Sequence, residues 1–157
     1  MKAIVTVAVA VAALAGAGSA AAQDWSIAPN YGSVSLRTGY TPDPYNVNLT
    51  AGGNIDVSYS ISSDCRGYVT NAPDFELLYT AGSSFPLIIS ANSSSDTTLV
   101  VNGPDGQWYC DDDGGNQGLN PSLSWSRPQS GAYHIWVGTY GSTPSAATLA
   151  ISEINSY

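Results

Sequence analysis

Short runs of β-branched and aromatic residues recur about ten times along this chain, and turn-forming residues separate them. Residues 46–50 (NVNLT) and 54–61 (NIDVSYSI) alternate apolar with polar side chains, which is the period of a strand with one buried face. The other runs are residues 33–36, 67–70, 75–80, 85–90, 97–101, 107–110, 122–125, 132–140 and 146–154. This pattern predicts an all-β fold, an antiparallel β-sandwich or jelly-roll of about ten short strands.

Residues that favour α-helices are scarce after residue 22. That part of the chain has no lysine and two glutamates, and it is rich in Gly, Ser, Thr, Asn and Pro. Residues 102–106 (NGPDG) predict a hairpin turn between two of the strands, and residues 38–46, with two prolines, predict a surface loop. No internal repeat or linker divides the chain, so we expect a single domain over residues 23–157.

The N-terminal segment predicts export. Residues 1–22 contain one basic residue, Lys2, then an apolar stretch, and they end in Ala20-Ala21-Ala22. This is the pattern of a secretory signal peptide that is cleaved after Ala22, so the mature chain would begin at Gln23. The stretch is short and rich in Ala and Gly for a membrane span, and no later segment is long enough. We therefore expect a periplasmic or extracellular protein.

The acidic charge excludes some partners. Beyond residue 22, the chain has three arginines as its basic residues and all 12 of its acidic residues. Binding to phosphate groups needs clustered Lys and Arg, so nucleic acid and anionic membranes are not expected partners.

Cys65 and Cys110 are the two cysteines of the chain. An even number of cysteines in an oxidising compartment favours a disulfide, with two free thiols as the alternative. In the chain-entropy account, a bridge across a loop of this length contributes about 3–4 kcal/mol to stability.

Three segments of the chain carry a family resemblance. They are DTTLVVNGPDGQWYCDDDGG and the later segments LNPSLSW and PQSGAYHIWVGTY. In this order, the segments resemble the bacterial pre-peptidase C-terminal (PPC) domain over roughly residues 75–154. The matching elements are Asp96-Thr97, Leu99–Val101, Pro104–Gly106, Asp112–Gly115, Leu119-Asn120, Ser130–Tyr133 and Val137–Tyr140. The family is a β-sandwich that is usually appended to secreted proteases and other enzymes.

A second resemblance covers nearly the whole chain beyond the signal peptide. The segments LRTGYTPDPYNVNLTAGG and CRGYVTNAPDFELLYTAGS are similar to those of small exported proteobacterial proteins of unknown role, some of which carry a serine-peptidase label. The chain has no room for an enzyme beside a PPC-like domain. The resemblance therefore implies a non-catalytic binding or structural module that stands alone.

The residues give the peptidase label no support. A serine triad needs a histidine base, and the one histidine of the chain, His134, is predicted on the outer face of a strand. The nucleophile motifs GDSGG and G-x-S-x-G are absent from the sequence. A hydrolase that uses two carboxylates is harder to exclude, but Glu76 and Glu153 are expected to be solvated strand positions without an apolar pocket.

Three consecutive aspartates, residues 111–113, precede two glycines. Repulsion between adjacent carboxylates falls when a divalent cation lies among them, and Ca²⁺ prefers such oxygen ligands. We expect Asp96, Asp112 and Asp113 to meet at one end of the sandwich and to bind Ca²⁺; a single histidine and paired cysteines make zinc unsuitable. The alternative is a turn in which the carboxylates accept hydrogen bonds from backbone N–H groups, and both can hold at once.

Aromatic residues supply a second candidate site. Exposed Trp and Tyr rings stack on sugars or peptides. Strand alternation places His134 and Trp136 on the outer face of their strand, opposite the residues that face the core. They are the predicted ligand face of a carbohydrate-binding module, which is the alternative to a PPC-type module with an unknown protein or glycan ligand. For the other tryptophans we expect positions in or beside the core.

Overall fold

Two β-sheets pack face to face in the computed structural model, which describes residues 23–157. The predicted signal peptide lies outside the described residues. In chain order the elements are β1 (Ser33–Arg37), β2 (Tyr45–Ala51), β3 (Ile55–Asp56), α1 (Val57–Ser60), β4 (Tyr68–Val69), β5 (Phe75–Thr80), β6 (Leu87–Asn92), β7 (Thr97–Asn102), β8 (Trp108–Asp111), β9 (Ser122–Trp125), β10 (Gly131–Thr139) and β11 (Ser145–Ser152). The predicted all-β sandwich is confirmed. Within the described part of the chain, no helix is long and apolar enough to cross a membrane.

The two last strands hold the central positions of the two sheets. In the larger sheet, β10 pairs with β5 and β4 along one side and with β7 along the other, and β8, β1 and β3 extend the sheet. In the smaller sheet the order is β2-β11-β6-β9. The strand pairs are antiparallel, as predicted, except that β1 runs parallel to β5.

Alternate residues of both sheets form the core between them. The inward-facing side chains of β10 are Tyr133, Ile135 and Val137. Strands β5, β6, β7 and β11 add Leu77, Tyr79, Leu87, Ile89, Leu99, Val101, Leu149 and Ile151, each almost completely buried. For β10 this is the alternation predicted from the sequence, because successive strand residues point to opposite faces of a sheet.

The strand predicted over residues 54–61 was wrong beyond Asp56. Helix α1 follows there, because the Asp56 carboxylate accepts hydrogen bonds from the backbone N–H of Ser58 at 2.9 Å and from its hydroxyl at 2.6 Å. An aspartate in this position caps a helix by satisfying N–H groups that have no partner in the first turn. The turn places Val57 against the larger sheet, where it is buried.

Asp74 fills a gap in the hydrogen-bond ladder of β10. The pairing with β5 ends at Ile135, and the pairing with β4 begins at Thr139. Between them, the Val137 N–H donates to Asp74 Oδ2 at 2.8 Å, and the Val137 carbonyl accepts from the Gly52 N–H at 2.9 Å. The buried carboxylate thus takes the place of a strand neighbour.

We expect Asp74 to make the stability depend on pH. Burial raises the pKa of Asp74 to about 6, against the hydrogen bonds from Val137 and Asn30, which lower it. Between the ordinary aspartate pKa and this value, the folded state holds a proton that the unfolded chain has released. The free energy of unfolding should therefore decrease by about 3 kcal/mol as the pH rises from about 4 to above 6.

Urea unfolding at pH 4 and pH 7 measures this change, with Asp74→Asn as the variant that lacks the titrating group. The decrease should be smaller in the variant by the same amount. Equal pH dependence in both proteins would contradict the assignment.

Candidate functional site

Residues 52–71 pass over part of the outer face of the larger sheet, and they leave and rejoin that sheet at β3 and β4. Trp136 and Val100 from that face pack with Val57 and Val69 from the covering segment, residues 52–71, in a separate apolar cluster. The predicted disulfide is present here: it joins Cys65 of the covering segment to Cys110 of β8, with Cα atoms 5.4 Å apart. The covalent bond therefore fastens the covering segment to the sheet.

Trp136 is buried, so the prediction of an exposed ring was wrong. The residue lies on the outer face, as the alternation required, but its exposure is 0% because the covering segment lies over it. The indole Nε1–H donates to the backbone carbonyl of Asn71 at 3.3 Å, which satisfies the one polar atom of the side chain.

His134 faces outward on the same strand, and its side chain is only 14% exposed. Its Nδ1 lies 3.4 Å from Oε2 of Glu76, the residue directly opposite on β5. Burial lowers the pKa of His134, and the Glu76 carboxylate opposes that shift. The imidazole is therefore part of the sheet surface rather than a projecting ligand.

Trp25 is the exposed tryptophan of this face. Its ring is 49% exposed and meets Trp108 edge to face, with ring centroids 5.9 Å apart. Trp108 in turn packs on buried Trp136 at 5.3 Å. The Asp24 N–H donates to the Asn71 carbonyl at 3.0 Å, and this bond attaches the N-terminal segment to the covering segment. Trp25 therefore packs on Trp108, which itself rests on buried Trp136.

One line of residues crosses the sheet beside Trp25. Strand register sets Glu76 opposite His134, His134 opposite Asn102, and Asn102 opposite Trp108. We call these four residues together with Trp25 the aromatic row. It combines a half-exposed tryptophan with the His134 imidazole and the Glu76 carboxylate, whose side chains are 14% and 26% exposed, while Asn102 is buried and its amide donates to the backbone of the neighbouring turn. Such a surface can stack on an apolar ring and exchange hydrogen bonds at its rim through Glu76.

The first aspartate of the triplet shapes the loop. Asp111 Oδ2 accepts hydrogen bonds from the backbone N–H of Gly114 at 2.7 Å and of Ser122 at 2.8 Å. A carboxylate that bonds N–H groups a few residues ahead stabilises a turn. This is the turn chemistry that the sequence offered as the alternative to metal binding, and Asp111 has that role.

The structure brings the other two aspartates near Asp96. Burial raises the pKa of Asp96, and the charges of Asp113 and Asp112 raise it further. Its Oδ1 is buried and has no hydrogen-bond partner among the described residues. Over residues 23–157, however, no three His, Cys, Asp or Glu side chains are grouped so that they could hold a metal ion. The Ca²⁺ site at Asp96, Asp112 and Asp113 stays a prediction.

Glu153 is buried, which corrects the expectation of a solvated strand position. Its carboxylate accepts hydrogen bonds from the Gly39 N–H at 2.7 Å and from the Tyr79 hydroxyl. Asp43 binds the neighbouring backbone by accepting from the Glu153 N–H at 3.0 Å. Both carboxylates hold the loop of residues 38–46 against the end of β11, because that loop lies across the sandwich edge.

Two cavities among the described residues are small. One, of about 150 Å³, lies beside Tyr157, and another, of about 30 Å³, lies between Tyr109, Trp125 and Arg127. Pockets for small molecules generally enclose about 300–1,000 Å³. The aromatic row offers a ligand a surface rather than an enclosed pocket.

Comparisons with known proteins give structural likenesses. No family model and no curated protein matches the chain. The chain is similar to PliG of Aeromonas hydrophila, a periplasmic inhibitor of g-type lysozyme, with 16% identity and a TM-score of 0.44 over 76% of this chain and 96% of that one. It is also similar to the pre-peptidase C-terminal domain of a collagenase from Bacillus anthracis, with 12% identity and a TM-score of 0.42 over 76% of this chain and 94% of that one.

Removing the disulfide should loosen the covering segment and destabilise the protein. We expect Cys65→Ser/Cys110→Ser to lower the free energy of unfolding by about 3–4 kcal/mol, because the unfolded chain loses its cross-link. Urea unfolding measures the loss, and limited proteolysis of the folded variant should cut first within residues 52–71. Stability equal to that of the parent protein would show that packing alone holds the segment.

Proposed function

We propose that this chain is an exported, non-catalytic binding module whose ligand contacts the aromatic row. The observation that carries the proposal is Trp25, a half-exposed residue whose ring packs on Trp108, which in turn packs on buried Trp136. An aromatic ring that is already ordered loses little conformational entropy when a ligand binds, so such rings favour recognition.

Export is supported by chemistry that belongs outside the cytoplasm. The disulfide between Cys65 and Cys110 fastens the covering segment, and such bonds persist in oxidising compartments. The acidic composition and the predicted signal peptide agree with this location. We place the module in the periplasm or outside the cell.

A binding role is favoured over catalysis by the surroundings of the titratable groups. His134 contacts Glu76 on a sheet face and lies in no pocket that would hold a nucleophile beside it. The Glu153 oxygens accept hydrogen bonds from within the fold. General acid–base and nucleophilic catalysis require groups within reach of a bound substrate.

A glycan is the ligand class that the aromatic row fits best. Pyranose rings carry an apolar face and a rim of hydroxyl groups. Trp25 offers a half-exposed aromatic ring, and Glu76 offers a partly exposed carboxylate on the same line of residues. A protein ligand is the alternative occupant of the surface.

Pull-down on insoluble glycans tests this assignment. The mature protein should be retained on at least one of a panel of peptidoglycan sacculi, chitin and cellulose, and Trp25→Ala should weaken retention on the order of tenfold, equivalent to about 1.4 kcal/mol. Tyr59→Ala is the matched control, because Tyr59 is an aromatic residue of the covering segment that is 86% exposed.

Equal losses in both variants would argue against a specific role for Trp25. Retention on none of the three materials would remove the glycan and leave a protein ligand as the occupant to seek.

A calcium ion is the second part of the proposal. Asp96 supports it, since its buried Oδ1 has no partner among the described residues and its pKa is raised beside Asp112 and Asp113. Carboxylate oxygens are the ligands that Ca²⁺ prefers. Bound calcium would neutralise the three charges and hold the loop that follows β8 at the end of the sandwich.

Thermal unfolding in EDTA and in excess Ca²⁺ tests the calcium site. At about 100 times its Kd, calcium should stabilise the protein by about 2.7 kcal/mol. We expect the gain to vanish in Asp112→Asn/Asp113→Asn and to persist in Asp64→Asn, a change at an exposed aspartate elsewhere. If neither Ca²⁺ nor Mg²⁺ shifts the melting temperature, the three aspartates have a role in loop structure alone.

A further inference from the structure

Gln23 is the first described residue, and its side chain is 2% exposed. The side-chain Oε1 accepts a hydrogen bond from the hydroxyl of Ser60 on α1 at 3.0 Å. The side-chain Nε2 is buried as well, and it has no hydrogen-bond partner among the described residues. In the side-chain amide of Gln23, the oxygen therefore has a hydrogen-bond partner and the nitrogen has none among the described residues.

The predicted cleavage after Ala22 leaves Gln23 as the N-terminal residue. Its new α-amino group would carry a positive charge over much of the neutral range, since the ordinary pKa of this group is about 7.7–8.0. The charge would lie directly beside a side chain that is buried against α1. Burying or crowding a charge away from water costs free energy unless an opposite charge pairs with it.

We propose that Gln23 is a modification site and that the exported chain carries a pyroglutamate at its N-terminus. The α-amino nitrogen attacks the side-chain carbonyl carbon Cδ and forms a five-membered lactam. The bond between Cδ and Nε2 breaks, a proton moves from the attacking nitrogen to Nε2, and one molecule of ammonia leaves. The reaction is intramolecular and needs no oxidant, reductant or second substrate.

The environment of Gln23 fits the product better than the reactant. The atom that leaves, Nε2, is the one without a partner, so its loss breaks no hydrogen bond among the described residues. The atom that stays, Oε1, becomes the lactam oxygen and can keep the hydrogen bond from Ser60. Cyclisation also removes the α-amino charge. An unpaired buried amide group costs about 1–3 kcal/mol. The glutamine has two N–H groups on Nε2, whereas the lactam has a single N–H.

The experiment uses the full-length chain, expressed in a bacterium and isolated from the periplasm or medium. This inference rests on the export that is part of the proposed function. The intact mass and the mass of the N-terminal peptide should correspond to a chain that begins at residue 23 and has lost one ammonia. The mass shows both the cleavage position and the cyclisation. The proposed export and the proposed modification can therefore fail separately.

Four results of the mass measurement are decisive. Loss of one ammonia at residue 23 supports the inference. A chain that begins at Gln23 and retains its glutamine after prolonged incubation overturns the modification and leaves export intact. A chain that is cut at another position overturns the modification and leaves export intact, and an uncut chain that stays inside the cell overturns both.

Gln23→Asn is the matched control, because it keeps a neutral amide but is one methylene too short to close a five-membered ring. We expect this variant to retain a free α-amino group. Ser60→Ala should still cyclise but melt at a lower temperature, because the lactam oxygen loses its donor.

Pyroglutamyl peptidase tests whether the ring is buried. The enzyme should remove the N-terminal residue from the urea-unfolded chain and leave the folded protein intact. Equal cleavage of both forms would overturn the assignment of the ring to the site beside Ser60.

Discussion

The Asp74 carboxylate makes the contact on which the larger sheet depends most. Strand β10 is shared by β5, β4 and β7, and Val137 lies where one neighbour has ended and the next has not begun. Without the carboxylate, a backbone N–H group next to the core would have no acceptor, at a cost of about 1–3 kcal/mol. Asp74 also accepts a hydrogen bond from Asn30 at 3.1 Å, so the same side chain ties the N-terminal segment to the sheet.

Alternation in the sequence predicted the strands and their inward faces well, because a period of two follows directly from strand geometry. Residues 132–140 illustrate both its strength and its limit. Tyr133, Ile135 and Val137 face the core as predicted, and Trp136 faces the other side as predicted, yet Trp136 is buried. Alternation assigns a side chain to one face of a sheet and carries no information about a further layer of chain over that face. The same limit explains Glu153, which sits beneath the loop of residues 38–46.

The candidate site could be predicted only in part. The aspartate triplet is a local signal, and the cysteine count led to the disulfide that the structure contains. Trp25 gave no such signal, since it precedes the first strand and belongs to no periodic run; its place beside Trp108 depends on contacts between residues 83 positions apart in sequence. The sequence identified Gln23 as the residue after the predicted cleavage site. The burial of its amide depends on helix α1, and the sequence did not predict that helix because residues 54–61 have the pattern of a strand.

The central positions of β10 and β11 determine when this protein can fold. These are the last two strands, and the pairings of β2, β5, β6 and β7 all run through them. If the chain is exported N-terminus first, as we propose, neither sheet is complete until β10 and β11 have crossed the membrane. Contacts of such long sequence separation also make folding slow, because the closure of long loops precedes the gain from pairing. During that interval β2 has no partner, and β5, β6 and β7 each lack one of their two neighbours, so these strand edges are open to chaperones, proteases and aggregation.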